Sequence, residues 1–158
     1  MTQVKAVALD VDGVLTDGTV WWGPEGEEWK RFAFRDIMGV SRARRAGLTF
    51  ALISGEDSPL IDRFADKMGI AHVYKGRRDK AGALREFAAA CGLDAAEIAF
   101  MGDDVNDVAA MEAAGLAASP ADAHPSARAV ADVVTEAAGG HGAVRELLDA
   151  LLDGAPAD

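Results

Sequence analysis

The sequence predicts an α/β domain on a doubly wound parallel sheet, with a β-hairpin flap after the first strand and no cap domain. Three observations predict it. Short, almost unbroken apolar runs recur at residues 4–9, 48–53, 70–74 and 98–101, as expected of strands covered on both faces. Segments of helical length separate the later runs, so consecutive strands are joined by crossovers and pair in parallel. A length of 158 residues supports one real core and is too short for two domains of ordinary size.

The first strand holds Val4, Ala6, Val7, Ala8 and Leu9 and runs into Asp10, Asp12 and Gly13. Residues 16–34 do not read as a crossover helix. Val20, Trp21 and Trp22 form a strand, Gly23-Pro24-Glu25-Gly26 a turn, and residues 28–34 a returning strand. This hairpin carries five of the ten aromatic residues, Trp21, Trp22, Trp29, Phe32 and Phe34, and so predicts a cover, with another subunit favoured over the domain's own helices.

Residues 37–46 then form a short helix ending at Gly47, and the second buried strand ends at Ser54-Gly55. The helix at 60–68 starts beside Pro59, where a missing N–H is harmless, and closes at Gly69. A third strand leads past Tyr74 to a helix opened by Asp79 or Lys80 and running to residue 90. The fourth strand, 98–101, feeds a helix at 105–114. A short strand at 116–118, a helix from Pro125, a strand at 133–134 and a helix at 143–152 follow. Residues 1–153 thus read as one domain and 154–158 as a loose tail.

Composition narrows the function. A net charge of −10 argues against a nucleic-acid or anionic-membrane partner, since either needs clustered Lys and Arg. The single cysteine, Cys91, forms no internal disulfide, and its Ala-rich setting suits a buried helix position. No apolar stretch of membrane-spanning length and no basic leader followed by an apolar segment is present, which reads as cytoplasmic.

In a doubly wound sheet, ligands sit outside the carboxyl ends of the strands. Those ends carry Asp10 and Asp12; Ser54 with Gly55; the segment leading to Lys80; and Gly102-Asp103-Asp104 with Asp107. Asp10 and Asp12, two apart on an extended chain, crowd one volume, which is costly without a cation. A hard divalent ion such as Mg2+ removes that cost. Taken singly, each piece has an ordinary reading: a solvated turn for Asp-x-Asp-Gly, a helix cap for Ser54, a solvated lysine, an acid-rich helix start. Lys75, Arg77 and Arg78 compete with Lys80 as the cation. Together, the attacking carboxylate, hydroxyl, ammonium and acidic pair are the set that phosphoryl transfer requires.

These residues resemble the haloacid dehalogenase superfamily of phosphatases, whose four motifs match Asp10-Val11-Asp12-Gly13, Ser54, Lys80 and Gly102-Asp103-Asp104-Val105-Asn106-Asp107 over essentially the whole chain. The stretches Gly13-Val14-Leu15-Thr16-Asp17-Gly18, Ile53-Ser54-Gly55-Glu56-Asp57-Ser58-Pro59 and Gly139-Gly140-His141-Gly142-Ala143-Val144-Arg145-Glu146 resemble its capless branch, which acts on 2-keto-3-deoxy sugar acid phosphates. The resemblance implies that Asp10 attacks phosphorus and that Asp12 acts as acid and then base. It implies that Ser54, Gly55 and Lys80 hold the phosphoryl oxygens. Mg2+ would sit on Asp10, the backbone carbonyl of Asp12, and Asp103, with Asp104 and Asp107 behind them. It further implies a homotetramer, with the hairpin of one subunit and the carboxyl-terminal tail of another bordering the site.

Candidate substrate contacts are Thr16, Glu56, Lys67, Arg63 and His141, the last of which is more often merely tolerated in a Gly-rich turn. Glu56 and Lys67, with residues 28–32, look closer to enzymes of nine-carbon 9-phosphates of the sialic acid type. Enzymes of the eight-carbon 3-deoxy-manno-octulosonate 8-phosphate tend to carry Arg at the position of Glu56. The related sequences carry an arginine cluster where this chain has Asp62-Arg63-Phe64, a departure that bears on the sugar acid and leaves the phosphatase chemistry intact. Among rivals, a two-component receiver domain needs its Asp at a middle strand end, where Ser54 and Tyr74 stand instead. A mutase usually needs a cap. The remaining alternative is a weakly catalytic assembly or regulatory module associated with a sugar-acid cytidylyltransferase, against which the intact Asp10, Asp12, Ser54, Lys80 and Asp103 argue.

Overall fold

Side chains alternate along a strand, and the first strand shows what that alternation builds. In β1 (Ala6–Leu9), Val7 and Leu9 enter one hydrophobic cluster while Ala6 and Ala8 enter another on the opposite face. The structure is a computed structural model and describes residues 3–153; the tail expected at 154–158 lies outside the described residues. After β1 come β2 (Trp21–Trp22), β3 (Glu28–Trp29), α1 (Phe34–Arg45), β4 (Thr49–Ile53), α2 (Pro59–Met68) and β5 (His72–Tyr74). The chain continues through α3 (Lys80–Cys91), β6 (Ile98–Met101), α4 (Val108–Ala113), β7 (Leu116–Ser119), α5 (Pro125–Val130), β8 (Val133–Val134) and α6 (Ala143–Leu151).

The six-stranded sheet has the order β5-β4-β1-β6-β7-β8, with every pairing parallel. β2 and β3 form a separate antiparallel ribbon. The order runs outward in one direction from β1 to β5 and in the other from β6 to β8. The crevice at the carboxyl ends of β1 and β6 is therefore the point where ligands bind such sheets. One face is covered by α1, α2 and α6 through Val40, Ile61, Phe64, Val144 and Leu147. The other is covered by α3, α4 and α5 through Leu84, Phe87, Met111 and Ala127.

Several elements depart from their expected bounds: α1 spans Phe34–Arg45 where 37–46 is expected, and β5 only His72–Tyr74 where 70–74 is expected. The returning hairpin strand, expected to reach Phe34, pairs only over Glu28–Trp29, and Phe34 already opens α1. Ala33 is extended at its N-cap and Asp36 stands in its first turn, where a carboxylate suits the helix dipole. The helix expected over 105–114 begins as a 3-10 turn, Val105–Asp107, before α4. Asp104 and Asp107 cap each other's backbone there and tighten that first turn.

The hairpin's aromatics divide. Phe32 stacks on Phe64 of α2 at 5.0 Å between centroids, whereas Trp21, Trp22, Trp29 and Phe34 are 60%, 76%, 53% and 79% exposed. The chain's own helices thus cover only the last part of the ribbon.

Buried Asp36 joins α1 to α6. Its carboxylate accepts from the Arg145 backbone N–H at 3.0 Å, in the first turn of a helix whose N-cap, Gly142, offers no side chain. Burial pushes its carboxyl above the ordinary value. Asp36→Ala is expected to lower stability by about 1–2 kcal/mol through loss of this cap; an unchanged denaturant midpoint would contradict that role.

Candidate active site

Asp10 is the first residue past β1, and its backbone N–H still bonds to the Met101 carbonyl of β6 at 3.0 Å. The sheet ladder therefore delivers it to the crevice already oriented. The chain then turns, held by Thr16, whose buried Oγ1 accepts from the N–H groups of Gly13 and Gly18 at 3.3 and 3.2 Å. Thr16 closes this turn and does not line the cavity.

Gly13 has φ +84°, and a Cβ built there would lie 1.8 Å from Oδ2 of Asp103. Its missing side chain is what lets the β6 carboxylate approach the Asp10 turn. The turn is backed by the loop before α6, where a Cβ on Gly139 would lie 1.8 Å from the Gly13 carbonyl oxygen. In Gly139-Gly140-His141-Gly142, glycine packing is thus the evident role. His141 is exposed and stands outside the cavity.

Lys80, at the start of α3, is buried and joins two carboxylates. Its Nζ donates to Asp10 Oδ1 at 3.0 Å and to Asp107 Oδ1 at 2.7 Å. Burial pushes the ammonium pKa down, but Asp10 and Asp107 more than offset this and hold it above its ordinary value. Asp107 Oδ2 accepts from the backbone N–H groups of Asp103 and Asp104 at 2.8 and 3.2 Å. One buried side chain therefore fixes both the lysine and the acidic loop.

Asp10, Asp103 and Asp107 can each bring one oxygen within 4.8 Å of the others. Burial, with Asp107 next to it, raises the Asp10 carboxyl well above its ordinary value. Burial pushes Asp103 up to about 6. Such crowding is what a divalent cation relieves. Because Asp107 is occupied by Lys80 and two N–H groups, Asp10 and Asp103 are the side chains that fit a hard oxygen-seeking ion such as Mg2+. Gly13→Ala, which drives a side chain into Asp103, is expected to weaken Mg2+ binding by about 10-fold or more. A calorimetric Mg2+ affinity unchanged from wild type would contradict this.

The cavity measures about 390 Å³ and is lined by Asp10, Asp12, Ser54, Gly55, Lys80, Asp103 and Asp104. Glu56 lines it as well. Ser54 is buried at the end of β4, its Oγ accepting from the Glu56 N–H at 3.0 Å. Lys67 and Arg63, exposed on α2, do not reach the cavity within this chain.

Gly18, Val20, Trp22, Glu28, Lys30 and Asn106 also line it. Sequence reasoning assigned these no individual role. Lys30 places Nζ 2.8 and 3.0 Å from the two Asp12 carboxylate oxygens. Glu28 accepts from Ser58 Oγ at 2.6 Å and from the Trp22 indole at 3.1 Å, which together hold its carboxyl below the ordinary value. The signal that existed was the alternation of Glu28 and Lys30 along the returning strand, which puts both on one side.

Residues 48–147 match the model of a haloacid dehalogenase-like hydrolase family. The chain is 40% identical over 150 residues to 3-deoxy-D-manno-octulosonate 8-phosphate phosphatase KdsC of Escherichia coli K12, covering 95% of this chain and 80% of the relative. It resembles the 3-deoxy-D-manno-octulosonate 8-phosphate phosphatase of Moraxella catarrhalis, solved with magnesium, phosphate and KDO. The TM-score is 0.93 at 37% identity, over 95% of this chain and 86% of the other. The Yersinia pestis enzyme of that name gives 0.92 at 38% identity, over 94% and 80%.

Proposed function

Because the chain belongs to the haloacid dehalogenase-like hydrolases, as a Mg2+-dependent phosphatase, we propose that its substrate is 3-deoxy-D-manno-octulosonate 8-phosphate. The observation that carries this reading is the convergence of Asp10, Asp12, Ser54, Lys80 and Asp103 on one cavity in a chain so similar to enzymes of that name.

In this reading an Asp10 carboxylate oxygen attacks phosphorus as the bond from phosphorus to the sugar oxygen breaks, leaving an aspartyl phosphate. The electron pair of the broken bond stays on the sugar oxygen, and Asp12 supplies the proton that makes it a hydroxyl. Water then attacks the aspartyl phosphate, Asp12 takes its proton, and inorganic phosphate leaves with Asp10 restored. Lys80 and the Ser54–Gly55 segment receive the phosphoryl oxygens. Asp10, Asp103 and the Asp12 carbonyl would hold Mg2+, which would supply positive charge against the developing negative charge. Glu56 and Glu28 offer acceptors to the hydroxyls of a polyol substrate.

The first test is phosphate release, with and without Mg2+, from eight- and nine-carbon keto sugar acid phosphates and from hexose phosphates. Preference for the eight-carbon ester supports the reading. Preference for the nine-carbon ester would return weight to Glu56 and Lys67. No release from any substrate would favour an assembly module.

The exposed Trp21, Trp22, Trp29 and Phe34 support a homotetramer in which a neighbouring subunit covers the hairpin. A monomeric mass by light scattering would exclude it. The tail assigned to a neighbour's site lies outside the described residues. No helix among the described residues is long and apolar enough to cross a membrane.

A further inference from the structure

Lys30 follows β3 directly, and its side chain is only 3% exposed. A lysine is seldom so buried unless it is paired. Here the partner is Asp12, whose two oxygens both accept from Nζ. The side chains of Glu28 and Arg31, on either side of Lys30, are engaged separately. Glu28 is tied to Ser58, the N-cap of α2, and Arg31 pairs with Asp17 at 3.1 Å. The ammonium is therefore presented to Asp12 from a segment whose Glu28 is tied to the start of α2.

Asp12 lines the same cavity as Asp10, Asp103 and Asp104, and its own side chain is 31% exposed, with room to turn away. Among the described residues, both hydrogen bonds on its carboxylate come from Lys30. We propose that Lys30 is a positioning residue for Asp12, holding its carboxylate in one orientation at the cavity. The inference rests on the acid and base role proposed for Asp12, and it makes the hairpin part of the catalytic arrangement within a single chain.

The test uses the full chain with Mg2+ and compares Lys30→Met and Lys30→Arg with wild type. Lys30→Met is expected to lower kcat on 3-deoxy-D-manno-octulosonate 8-phosphate by about 10-fold or more, with KM changed by less than about threefold. Lys30→Arg should recover most of kcat. A raised KM with unchanged kcat would make Lys30 a substrate contact and overturn the proposal. So would an Arg variant as slow as Met.

A second readout needs no turnover. All three tryptophans lie on the hairpin, so tryptophan emission and its quenching by acrylamide report on that ribbon. Lys30→Met and Asp12→Asn should each shift the signal, and the double variant should shift it no further than either alone. Additive shifts would overturn the pairing. If the wild type released no phosphate from any substrate, the functional reading would fail, while this cycle would still decide whether Lys30 holds Asp12.

Discussion

Asp10→Asn is expected to reduce phosphate release by at least about 10⁴-fold, as removal of a covalent nucleophile does. The amide keeps the shape of the side chain but has no oxygen able to attack phosphorus and then leave. Stability should move the other way. The Asp10 and Asp103 carboxyls are both raised in the folded protein, Asp103 to about 6. A raised carboxyl binds its proton more tightly folded than unfolded, so its contribution is fully present below the ordinary carboxylate value and is lost as pH rises through the folded one. Metal-free protein should therefore lose stability from about pH 4 to above pH 6. Mg2+ binds the ionised carboxylates, so it should restore stability most at the upper end of that range. Asp10→Asn removes one of the charges and should be at least as stable as wild type at pH 7.5 in a chelator, with a smaller Mg2+-induced rise in Tm. Thermal melts with EDTA and with Mg2+ check both signs. A variant that melts well below wild type in EDTA would contradict the crowding described at this site.

Lys80→Met should lower both activity and stability. Lys80 is the cation between Asp10 and Asp107, all three being buried. Removing one partner from a buried ion network leaves charge without compensation and typically costs about 3–5 kcal/mol. The loss should be largest in EDTA and reduced by Mg2+, because the ion would supply positive charge to Asp10, one of the two carboxylates that lose the ammonium. Phosphate release should fall by about 100-fold or more even where Mg2+ keeps the variant folded, the loss expected from the proposed role of Lys80 as a preorganised donor to the phosphoryl oxygens. Urea melts paired with kcat in saturating Mg2+ separate the two effects. A variant with unchanged midpoint would show that Lys80 is not the counter-charge of this cluster.

Much of the fold was legible because its signals are local. The apolar runs of β1, β4 and β6, Pro59 and Gly69 at the ends of α2, and Asp79 ahead of α3 each act within a few residues. The start of α1 was harder, since Phe32 and Phe34 suit a strand by composition. In the structure the ribbon stops at Trp29, Phe32 packs on Phe64, and the helix opens at Phe34 after the extended Ala33.

The candidate site divides along the same line. Sequence alone pointed to the convergence of Asp10, Asp12, Ser54, Lys80 and Asp103, because alternating strands and crossovers bring every carboxyl strand end to one edge of the sheet. It could not determine which carboxylate each lysine holds. Lys80 reaches Asp10 across 70 positions and Lys30 reaches Asp12 across 18, and such pairings depend on distances that no local pattern encodes. Gly13 and Gly139 likewise read as turn residues until packing showed the Asp103 carboxylate and the Gly13 carbonyl filling the space their side chains would take. The tertiary structure decided these points because charge pairing and close packing are properties of segments meeting in space, whereas strand and helix periodicity are properties of the chain.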